Sequence, residues 1–356
     1  MLDTAPDPTA ERLRLHQLLT GDARALFAAD VRRGLSTQPK QLCPKYFYDE
    51  LGSLLFDAIC LLPKYYLTRA EHEILTRHAD EIIAAVGSDQ ITLLELGSGS
   101  AVKTRHLIEA ILKRQTQLRY RPIDISAAAL ETSARVLLQS YPSLRIEAYA
   151  SDYDTALAHL HGKKLWARKR EADGQTTTMH GAAPADARTL ALFLGSNIGN
   201  FDRAEAEAFL RRLRDVLRTG DALLLGADLK KDPARLVAAY DDALGITAAF
   251  NLNLLARLNR EFSADFDPRA FRHVALYNET HGRIELYLES RRAQVVHLPA
   301  LSLEIAFAAD ERMHTENSYK YDLTELDELA ARTDFARTRT WTDSARQFSS
   351  NLLVAV

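Results

Sequence analysis

The sequence predicts an α/β fold: a doubly wound, mostly parallel sheet with a second, α+β part formed from the N-terminal segment and an insertion. Two observations lead to this prediction. Between residues 91 and 227, short apolar runs alternate with longer segments of helical periodicity, which is the pattern of repeated β-α-β units. After residue 228 this alternation stops, and residues 283–288 alternate polar and apolar side chains, which indicates antiparallel strands.

The segment before the first predicted strand is expected to be mostly helical. Residues 10–19 and 53–59 are predicted as short helices, and an aromatic-rich connection at residues 44–49 lies between them. Residues 69–85 are predicted as a longer helix, because their apolar positions keep helical spacing until Gly87, and glycine commonly ends helices.

Five parallel strands and their connecting helices are predicted to follow. The strands are 91–96, 118–125, 145–149, 189–194 and 222–227, and the helices are 103–113, 127–141 and 203–218. The polar stretch 162–187 is expected to be a surface loop, in which Trp166 and His180 could form a lid or a contact site.

The last third of the chain is predicted to supply the second part and to complete the sheet. The predicted elements are a helix at 233–258, antiparallel strands within 271–307, a helix at 323–332 and an edge hairpin of 335–341 and 350–356. We therefore predict two domains: a sheet domain of residues 69–230 and 320–356, and a substrate domain of residues 10–68 and 231–319.

Composition argues against several kinds of partner. Lys and Arg number 45 against 48 Asp and Glu, so the net charge of −3 offers no basic field for nucleic acid. The acidic start of the chain lacks a secretory pattern, and no apolar stretch approaches the roughly 20 residues that a membrane span requires. Cys43 and Cys60 are too far apart for a paired metal motif. We expect a cytoplasmic monomer that requires no metal and contacts neither nucleic acid nor membrane.

A glycine-rich turn follows the first predicted strand of the parallel series. It reads Glu95-Leu96-Gly97-Ser98-Gly99, and Val102 occupies the third glycine position of a dinucleotide fingerprint, which disfavours a nicotinamide cofactor. An acidic residue, an apolar residue and then Gly-x-Gly is instead typical of class I methyltransferases, which bind S-adenosylmethionine. A tight strand-to-helix turn without a ligand is the alternative interpretation.

Acidic residues follow the next two predicted strands. Asp124 ends the second, where a carboxylate can accept hydrogen bonds from both ribose hydroxyls of an adenosine. After the third strand, Asp152 could accept from the adenine amino group while Tyr153 lies beside the ring. Either carboxylate could be only a helix cap, but signals at three consecutive strand ends favour one ligand along this edge of the sheet.

The fourth predicted strand ends in a cluster of small and amide residues, Gly195-Ser196-Asn197-Ile198-Gly199-Asn200. Its backbone groups and an amide could face the methyl acceptor. Glycine and asparagine also serve turn formation, so composition alone leaves both interpretations open.

Long motifs extend over almost the whole chain. They are Pro44-Lys45-Tyr46-Phe47-Tyr48-Asp49, Leu62-Pro63-Lys64-Tyr65-Tyr66-Leu67-Thr68-Arg69, the turn at 95–99, and residues 193–200, 226–232, 239–242, 247–251 and 314–320. In these motifs the sequence resembles the L-histidine Nα-methyltransferase family of ergothioneine biosynthesis. The resemblance implies three successive methyl transfers from S-adenosylmethionine to L-histidine, which give Nα,Nα,Nα-trimethylhistidine.

The resemblance also implies a set of site residues. The cofactor residues would be Gly97, Lys103, Asp124, Asp152 and Tyr153. Tyr65 and Asn200 would lie beside the substrate amino acid, Tyr240 would bind its carboxylate, and Glu316 and Ser318 would hold the imidazole nitrogens.

Repeated methylation of an amine requires removal of its proton and room for a growing cation. Tyr48 and Asp49 are the candidate proton acceptors, with Tyr65 as a further one, although a tyrosine with a pKa of about 10 is a weak base at neutral pH. Phe47 and Phe56, together with the two tyrosines, are expected to surround the ammonium group through cation–π attraction.

Two departures from the family pattern leave alternatives open. Leu286 stands where the family carries methionine near the imidazole, and residues 162–187 form a longer link than usual. The alternative function is therefore a methyltransferase of the same fold that acts on another amino acid or small amine. The other classes are a nicotinamide-dependent dehydrogenase, which the missing third glycine disfavours, and a silent amino-acid-binding protein, which Glu95, Asp124 and Asn200 together disfavour.

Overall fold

The computed structural model describes residues 10–19, 23–172 and 187–356. The strands among them are β1 (Leu13–Gln17), β2 (Ile91–Leu96), β3 (Leu118–Asp124), β4 (Leu144–Ala150), β5 (Arg188–Phe193), β6 (Ala222–Asp228), β7 (Phe271–Asn278), β8 (Arg283–Ser290), β9 (Gln294–Leu298), β10 (Leu303–Phe307), β11 (Arg312–Tyr319), β12 (Phe335–Thr342) and β13 (Phe348–Ala355).

The helices of the same residues are α1 (Ala23–Ser36), α2 (Glu50–Leu61), α3 (Leu67–Val86), α4 (Thr104–Leu112), α5 (Ala127–Ser140), α6 (Tyr153–Ala172), α7 (Arg203–Val216), α8 (Pro233–Tyr240), α9 (Ile246–Phe262) and α10 (Leu323–Arg332). Short 3-10 turns precede α2 at Pro44–Phe47 and follow β5 at Asn197–Asn200.

Eight strands form the central sheet, in the order β1-β4-β3-β2-β5-β6-β13-β12. The strands from β1 to β6 are parallel to their neighbours, whereas β13 runs antiparallel between β6 and β12. The chain alternates strand and helix from β2 to β6, and such crossovers place helices on the faces of the sheet. β2 and β6 are accordingly buried along their whole length.

Two apolar cores cover the two faces of the sheet. One contains Ile74 of α3, Leu107 of α4 and Leu130 of α5, and the other contains Leu157 of α6 and Phe209 of α7, together with the apolar side of α10. The doubly wound arrangement that the alternating pattern predicted is therefore present.

The predicted helix at residues 10–19 is wrong, because this segment forms β1 and extends the sheet. β1 pairs in parallel with β4, from Leu13 opposite Ile146 to Gln17 opposite Ala150. The Arg12 guanidinium donates to backbone carbonyl oxygens near the end of α5, including that of Leu138 at 2.9 Å. Pairing with an open strand edge outweighed the local helical spacing of a short segment.

Two other boundaries differ from the prediction. Residues 233–258 were expected to be one helix, but helix α8 ends at Tyr240 and helix α9 begins at Ile246. Gly245, which precedes α9, has a φ of +73°. Helix α6 continues to Ala172, so the first part of the predicted loop 162–187, with the backbone of Trp166, is helical. The remainder of that prediction, including His180, lies outside the described residues.

The second part of the structure packs over the carboxyl edge of the central sheet. It contains a three-stranded sheet in the order β11-β8-β7, a β9-β10 ribbon, and helices of which α9 contacts both α2 and β7. β11 also lies against the 3-10 turn Asn197–Asn200 that follows β5. We propose the two-domain division predicted above, with residues 10–19 moved to the sheet because β1 pairs with β4.

None of the helices in the described ranges is both long and apolar enough to cross a membrane.

Candidate active site

A cavity that is open to solvent lies where the carboxyl end of β5 meets the second part of the structure; its empty space, including solvent at the open mouth, is about 540 Å³. Its lining combines aromatic, aliphatic and polar side chains from both parts. The lining residues are Tyr48, Phe56, Ile59, Tyr65, Leu67, Gly195, Ser196, Asn197, Asn200, Ala239, Tyr240, Thr247, Phe250, Leu286, Glu316 and Ser318.

The carboxyl ends of four neighbouring strands lead to this cavity. In the order of the sheet, the ends of β4, β3, β2 and β5 carry Asp152, Asp124, Gly97 and Gly195. Residues that are far apart in sequence are therefore brought to one edge, and the cavity lies at its β5 end. An extended ligand on this edge would have one end at the cavity.

Gly97 allows the backbone to turn closely beside Tyr153. Its φ is +75°, and a Cβ at this position would lie 2.6 Å from the Tyr153 hydroxyl oxygen and 3.3 Å from Nδ2 of Asn197. Any other residue would be strained in this backbone conformation and would also fill the space above the turn. The loop is thus shaped for close approach of a ligand to the backbone.

Asp124 is fixed at the end of β3 by two backbone groups. Its Oδ2 accepts from the N–H of Gly99 at 2.9 Å, and its Oδ1 accepts from the N–H of Ser126 at 3.0 Å. A carboxylate has about four acceptor sites, so both oxygens retain capacity for a pair of ribose hydroxyls. The neighbouring Ile125 is exposed and offers an apolar surface to a flat ring.

Asp152 caps α6, which was the alternative that the sequence left open. It accepts from the backbone N–H and the hydroxyl of Thr155 at 2.8 and 3.1 Å. The next residue, Tyr153, contacts Phe193 edge-on at 5.6 Å between ring centroids, so the core sets the orientation of its ring. Capping leaves further lone pairs on the Asp152 carboxylate, which can also accept from a ligand amino group.

Lys103 and Glu71 join three elements beside the cavity. The Lys103 ammonium is hydrogen-bonded to Glu71 of α3, and the same carboxylate accepts from the N–H of Gly195 at 2.8 Å. Glu71 is fully buried, whereas the Lys103 side chain remains 27% exposed. Lys103 can therefore bind an anionic ligand group while Glu71 fixes its position.

These groups fit S-adenosylmethionine, which carries no phosphate. The edge offers carboxylates to hydroxyl and amino groups, a cation to a carboxylate, and a glycine turn to which a ligand can approach closely. Glu95 has a different position: it is buried and accepts from the Thr104 hydroxyl at 2.6 Å and from the Tyr120 hydroxyl. Burial raises its pKa to about 7. Its two partners belong to α4 and β3, so Glu95 joins these elements to β2.

Aromatic rings form one part of the cavity wall. The Phe56 ring centroid lies 5.6 Å from Tyr48, 6.3 Å from Tyr65 and 6.0 Å from Phe250. Phe47, which the sequence placed in this group, is fully buried and is not among the lining residues. Instead it packs behind Phe250 of α9, at 4.7 Å, and Phe250 itself lines the cavity.

Polar side chains from α8 and β11 form another part of the wall. The hydroxyl oxygens of Tyr240 and Ser318 lie 2.8 Å apart. Glu316 also lines the cavity, and nothing in the described ranges donates a hydrogen bond to its carboxylate. Burial raises its pKa to about 7, although the positive charge of Lys320 opposes this rise. A carboxylate in this position is costly unless a ligand supplies a donor.

The turn after β5 and strand β8 complete the lining. Asn197 and Asn200 come from the 3-10 turn, and Leu286 of β8 faces the cavity with only 1% of its surface exposed. A Cβ on Gly199 would lie 2.7 Å from the carbonyl oxygen of Tyr319, so only glycine lets this turn pack against β11. That contact holds the two amides at the cavity.

Asp49 lies outside the cavity lining and serves the structure of α2. As the N-cap it accepts from the backbone N–H of Gly52 at 2.7 Å, and it also accepts from Asn253 at 2.8 Å and from Arg260 at 2.6 Å. Despite partial burial, these partners lower its pKa. This geometry gives no support to Asp49 as the proton acceptor.

The two cavity tyrosines are poor bases in this structure. Burial raises the pKa of Tyr65 well above 10, and the neighbouring Tyr240 adds to the rise. The packing around Tyr48 and the carboxylate of Glu316 raise the pKa of Tyr48 in the same direction. Both hydroxyls are therefore protonated at neutral pH and are suited to hydrogen bonding.

Several buried side chains of the site were not singled out from the sequence. Lys320 donates to the hydroxyls of Tyr240 and Ser318, Asp228 pairs with Lys320, and Glu71 holds Lys103. The available signal was a charge within an apolar element, since Asp228 ends a strand that otherwise contains only alanine, leucine and glycine. Such charges are rarely buried without partners.

Comparison with known proteins is consistent with this geometry. A family model described as a histidine-specific, S-adenosylmethionine-dependent methyltransferase matches residues 27–355. The histidine N-alpha-methyltransferase of Mycolicibacterium smegmatis is 44% identical over 343 residues, covering 96% of this chain and 99% of that protein. The protein of the same name from Mycobacterium tuberculosis is 42% identical over 323 residues, covering 91% and 93%.

A fungal relative covers a smaller part of its own length. Ergothioneine biosynthesis protein 1 of Neurospora crassa is 31% identical over 309 residues, which cover 85% of this chain and 32% of that protein. The predicted doubly wound α/β sheet is present, and the family model confirms the predicted use of S-adenosylmethionine. From its fold, its cavity and these similarities, the chain belongs to the S-adenosylmethionine-dependent, histidine-specific methyltransferase family.

Proposed function

We propose that the protein transfers methyl groups from S-adenosylmethionine to the α-amino nitrogen of L-histidine, three times in succession. The product is Nα,Nα,Nα-trimethylhistidine, and the reaction is the first step of ergothioneine biosynthesis. The observation that carries the proposal is Glu316, a carboxylate in the cavity wall without a hydrogen-bond donor from the described residues. An imidazole N–H would supply that donor.

The cavity offers a matching group for each polar part of histidine. Glu316 would accept from one imidazole nitrogen, and Ser318, two residues further along β11, would donate to the other. Tyr240 would bind the carboxylate, and Tyr65 and Asn200 would lie beside the amino group. Since Leu286 is apolar, it would pack against the imidazole ring without competing for its nitrogens.

On the sheet edge, Asp152 and Tyr153 would hold the adenine, Asp124 the ribose, and Gly97 and Lys103 the amino-acid end of the cofactor. The strand order supports this assignment, because these residues lie side by side in that sequence and end at the cavity. S-adenosylmethionine supplies a methyl group on a positively charged sulfur.

The side chains of this protein mainly position the amine. The hydroxyls of Tyr48 and Tyr65 can hydrogen-bond the nitrogen and direct its lone pair, which is the principal requirement for an in-line transfer. The aromatic wall of Tyr48, Phe56, Tyr65 and Phe250 can surround the methylated ammonium, an attraction of roughly 0.5–2 kcal/mol. Because both tyrosines are protonated, we propose that solvent at the open cavity takes up the amine proton.

The test is a competition among acceptors. The purified protein is incubated with S-adenosylmethionine and an equimolar mixture of the standard amino acids, and mass spectrometry follows gains of one, two or three methyl groups. Trimethylated histidine as the sole product is the expected result. Methylation of a different amino acid would retain the cofactor assignment and overturn the substrate assignment, whereas the absence of any methylation would contradict the proposed reaction.

We also propose that the protein acts as a monomer in the cytoplasm. The balanced charge, with 45 basic and 48 acidic residues, supports a small-molecule substrate over a polyanionic partner. Light scattering of the purified protein at several concentrations would give its mass in solution, and a mass near twice that of the chain would contradict the monomer.

A further inference from the structure

A buried cluster of charges lies directly behind the polar wall of the cavity. Asp228, at the end of β6, accepts from Lys320 at 2.9 Å and from Lys231 at 2.5 Å. The Tyr66 hydroxyl donates to the same carboxylate at 2.8 and 2.9 Å from its two oxygens. Asp228 and Lys320 are both 0% exposed. Two cations thus share one carboxylate inside the protein.

Lys320 connects this cluster to the cavity. Besides Asp228, its ammonium donates to the Tyr240 hydroxyl and to the Ser318 hydroxyl, each at 2.8 Å. An ammonium group has three hydrogens, so these three contacts use all of them. Lys320 itself is not part of the cavity lining and has no hydrogen left for a ligand. Lys320 can therefore act on a ligand only through the two hydroxyls and through its charge, which also lowers the pKa of Glu316.

The contacts with Lys320 determine what the two hydroxyls can offer. Each oxygen already accepts from the ammonium, and one of the two hydroxyl hydrogens joins Tyr240 to Ser318 across 2.8 Å. The other hydrogen is free to point into the cavity, and a substrate with two acceptor groups would draw the first hydrogen away from the Tyr240–Ser318 contact as well. This part of the wall therefore favours ligand groups that accept hydrogen bonds, such as a carboxylate or an unprotonated ring nitrogen.

We propose that Lys320, held in place by Asp228, is a positioning residue that turns the Tyr240 and Ser318 hydroxyls toward the acceptor atoms of the substrate. The inference rests on the proposed function, because it concerns recognition of an amino acid with a carboxylate and an imidazole. It assigns substrate selection partly to a residue that does not touch the substrate.

The charges of the cluster support this role. Lys320 places a positive charge beside the Tyr240 hydroxyl, which favours an anionic group at that end of the cavity. Burial alone would disfavour the Lys320 cation, but Asp228 and Tyr240 outweigh burial and raise its pKa. The lysine therefore remains a donor over the whole working pH range.

The chain offers a matched control, since Lys231 binds the same carboxylate without touching Tyr240 or Ser318. The two variants to compare are Lys320→Met and Lys231→Met. Each removes one cation and leaves Asp228 paired with the other lysine and with Tyr66, so neither leaves an isolated buried charge. Thermal unfolding of both variants checks that they are folded.

Steady-state kinetics then separate positioning from general damage. Lys320→Met is expected to raise the KM for histidine by about tenfold to a hundredfold, with the KM for S-adenosylmethionine changed by less than about twofold. Lys231→Met is expected to keep both KM values within about threefold of wild type. Equal changes in the histidine KM of the two variants would overturn the inference.

Histamine lacks the carboxylate, so the ratio of histidine affinity to histamine affinity reports on carboxylate recognition. A general structural defect would weaken the binding of both compounds and leave this ratio unchanged. As an inhibitor of the wild type, histamine measures binding without the carboxylate contact. Lys320→Met is expected to weaken the binding of histidine more than the binding of histamine, so the ratio of the two affinities falls. An unchanged ratio would overturn the inference. If Lys320→Met does not fold, Lys320→Gln, which keeps a shorter donor, is measured against the same two outcomes.

Turnover by the wild type shows whether the proposed function fails or only the role of Lys320. Methylation of histidine by the wild type together with equal behaviour of both variants rejects only the role of Lys320. Failure of the wild type to methylate histidine rejects the proposed function and the inference that rests on it.

Discussion

At the scale of single residues, Glu316 is a partly buried carboxylate of the cavity wall that has no hydrogen-bond donor among the described residues. In the described structure nothing donates to its carboxylate, and burial raises its pKa to about 7. Glu316 therefore titrates near neutral pH, whereas an ordinary glutamate is already ionised well below neutral pH. Such conflicts between stability and chemistry are concentrated at functional sites.

Replacement of Glu316 by glutamine is expected to weaken histidine binding and to alter its pH dependence. The KM for histidine should rise by about tenfold to a hundredfold at pH 8, because a charge-assisted hydrogen bond is lost. In the wild type, the KM should rise as the pH falls through about 7, where Glu316 becomes protonated. Initial-rate measurements between pH 6 and 9 check both effects.

The substrate histidine also titrates between pH 6 and 9, so the pH profile of Glu316→Gln serves as the control for that of the wild type. Only the difference between the two pH profiles reports on Glu316. Identical profiles, apart from a constant factor, would contradict the assignment of the raised pKa.

The same residue should carry a cost in stability. Between about pH 4.5 and 7 the folded protein keeps a proton that the unfolded chain has lost, so the free energy of unfolding falls as the pH rises. At pH 8, Glu316→Gln is expected to be more stable than the wild type by about 1–3 kcal/mol, and this gain should vanish near pH 4.5. Urea unfolding at both pH values measures the difference; a gain that is equal at both would contradict it.

Tyr48 is expected to orient the amine rather than to remove its proton, because its pKa is raised well above 10. Tyr48→Phe should lower kcat by about tenfold, which is the order of one lost hydrogen bond, and should leave the shape of the kcat–pH profile unchanged. Stopped-time product analysis from pH 6 to 10 gives the profile. Loss of one limb of the profile in the variant would identify Tyr48 as the base.

At the scale of elements, helix α2 depends on Asp49, which the sequence analysis named as a candidate proton acceptor. Asp49 caps this helix and accepts hydrogen bonds from Arg260 and Asn253 of α9, so it joins α2 to α9. Phe56 of α2 and Phe250 of α9 face the cavity from these helices. The cap therefore acts on the aromatic wall through the backbone.

Asp49→Ala is expected to lower the free energy of unfolding by about 1–3 kcal/mol, since a helix cap and a charged hydrogen bond are both lost. The kcat of the folded variant should stay within about threefold of wild type. Asp49→Asn, which preserves the cap but not the charge, is the matched control and should lose less stability. A large loss of kcat in both variants would restore Asp49 as a proton acceptor.

The break between α8 and α9 also positions the site. A single helix through residues 233–258 would carry Tyr240 and Phe250 on a common axis, but the turn ending at Gly245 separates them. In the turn, Asp242 accepts from the backbone N–H groups of Ile246 and Thr247 at 3.1 and 2.7 Å. Apolar periodicity continues across this turn, which is why the sequence predicted one helix.

At the scale of the whole molecule, the short strand β1 is the outermost strand of the central sheet and covers the longer strand β4. Without it, β4 would present unpaired backbone groups to solvent, and exposed strand edges promote association between chains. Deletion of residues 1–19 is therefore expected to lower the unfolding temperature by several degrees and to increase aggregation on heating. Differential scanning calorimetry and light scattering measure these changes.

A point variant separates pairing from loss of the segment. Arg14→Pro, at a position with an exposed side chain, removes a backbone donor on the side of β1 that faces β4, because the N–H of Leu18 donates to β4 and every second residue before it points the same way. This variant should have much of the effect of the deletion. An unfolding temperature equal to that of the full chain in both proteins would mean that β1 contributes nothing to stability.

The sequence by itself determined the features that depend on local chemistry. Alternating apolar runs predict a parallel sheet because crossover helices must cover it, and Gly97 and Asp124 stand at strand ends where a ligand can bind. These features need only a few consecutive residues and a known topology. The long motifs added the family and, with it, five substrate residues that line the cavity, namely Tyr65, Asn200, Tyr240, Glu316 and Ser318.

Only the tertiary structure decided which side chains meet. Lys320 and Tyr240 are 80 residues apart, so no local pattern could place an ammonium behind a hydroxyl of the cavity. The same holds for Phe250 in place of Phe47, for Asp49 as a cap, and for β1 as a strand, because each depends on packing against a distant element. Local propensities differ by only about 1 kcal/mol, which such contacts readily exceed.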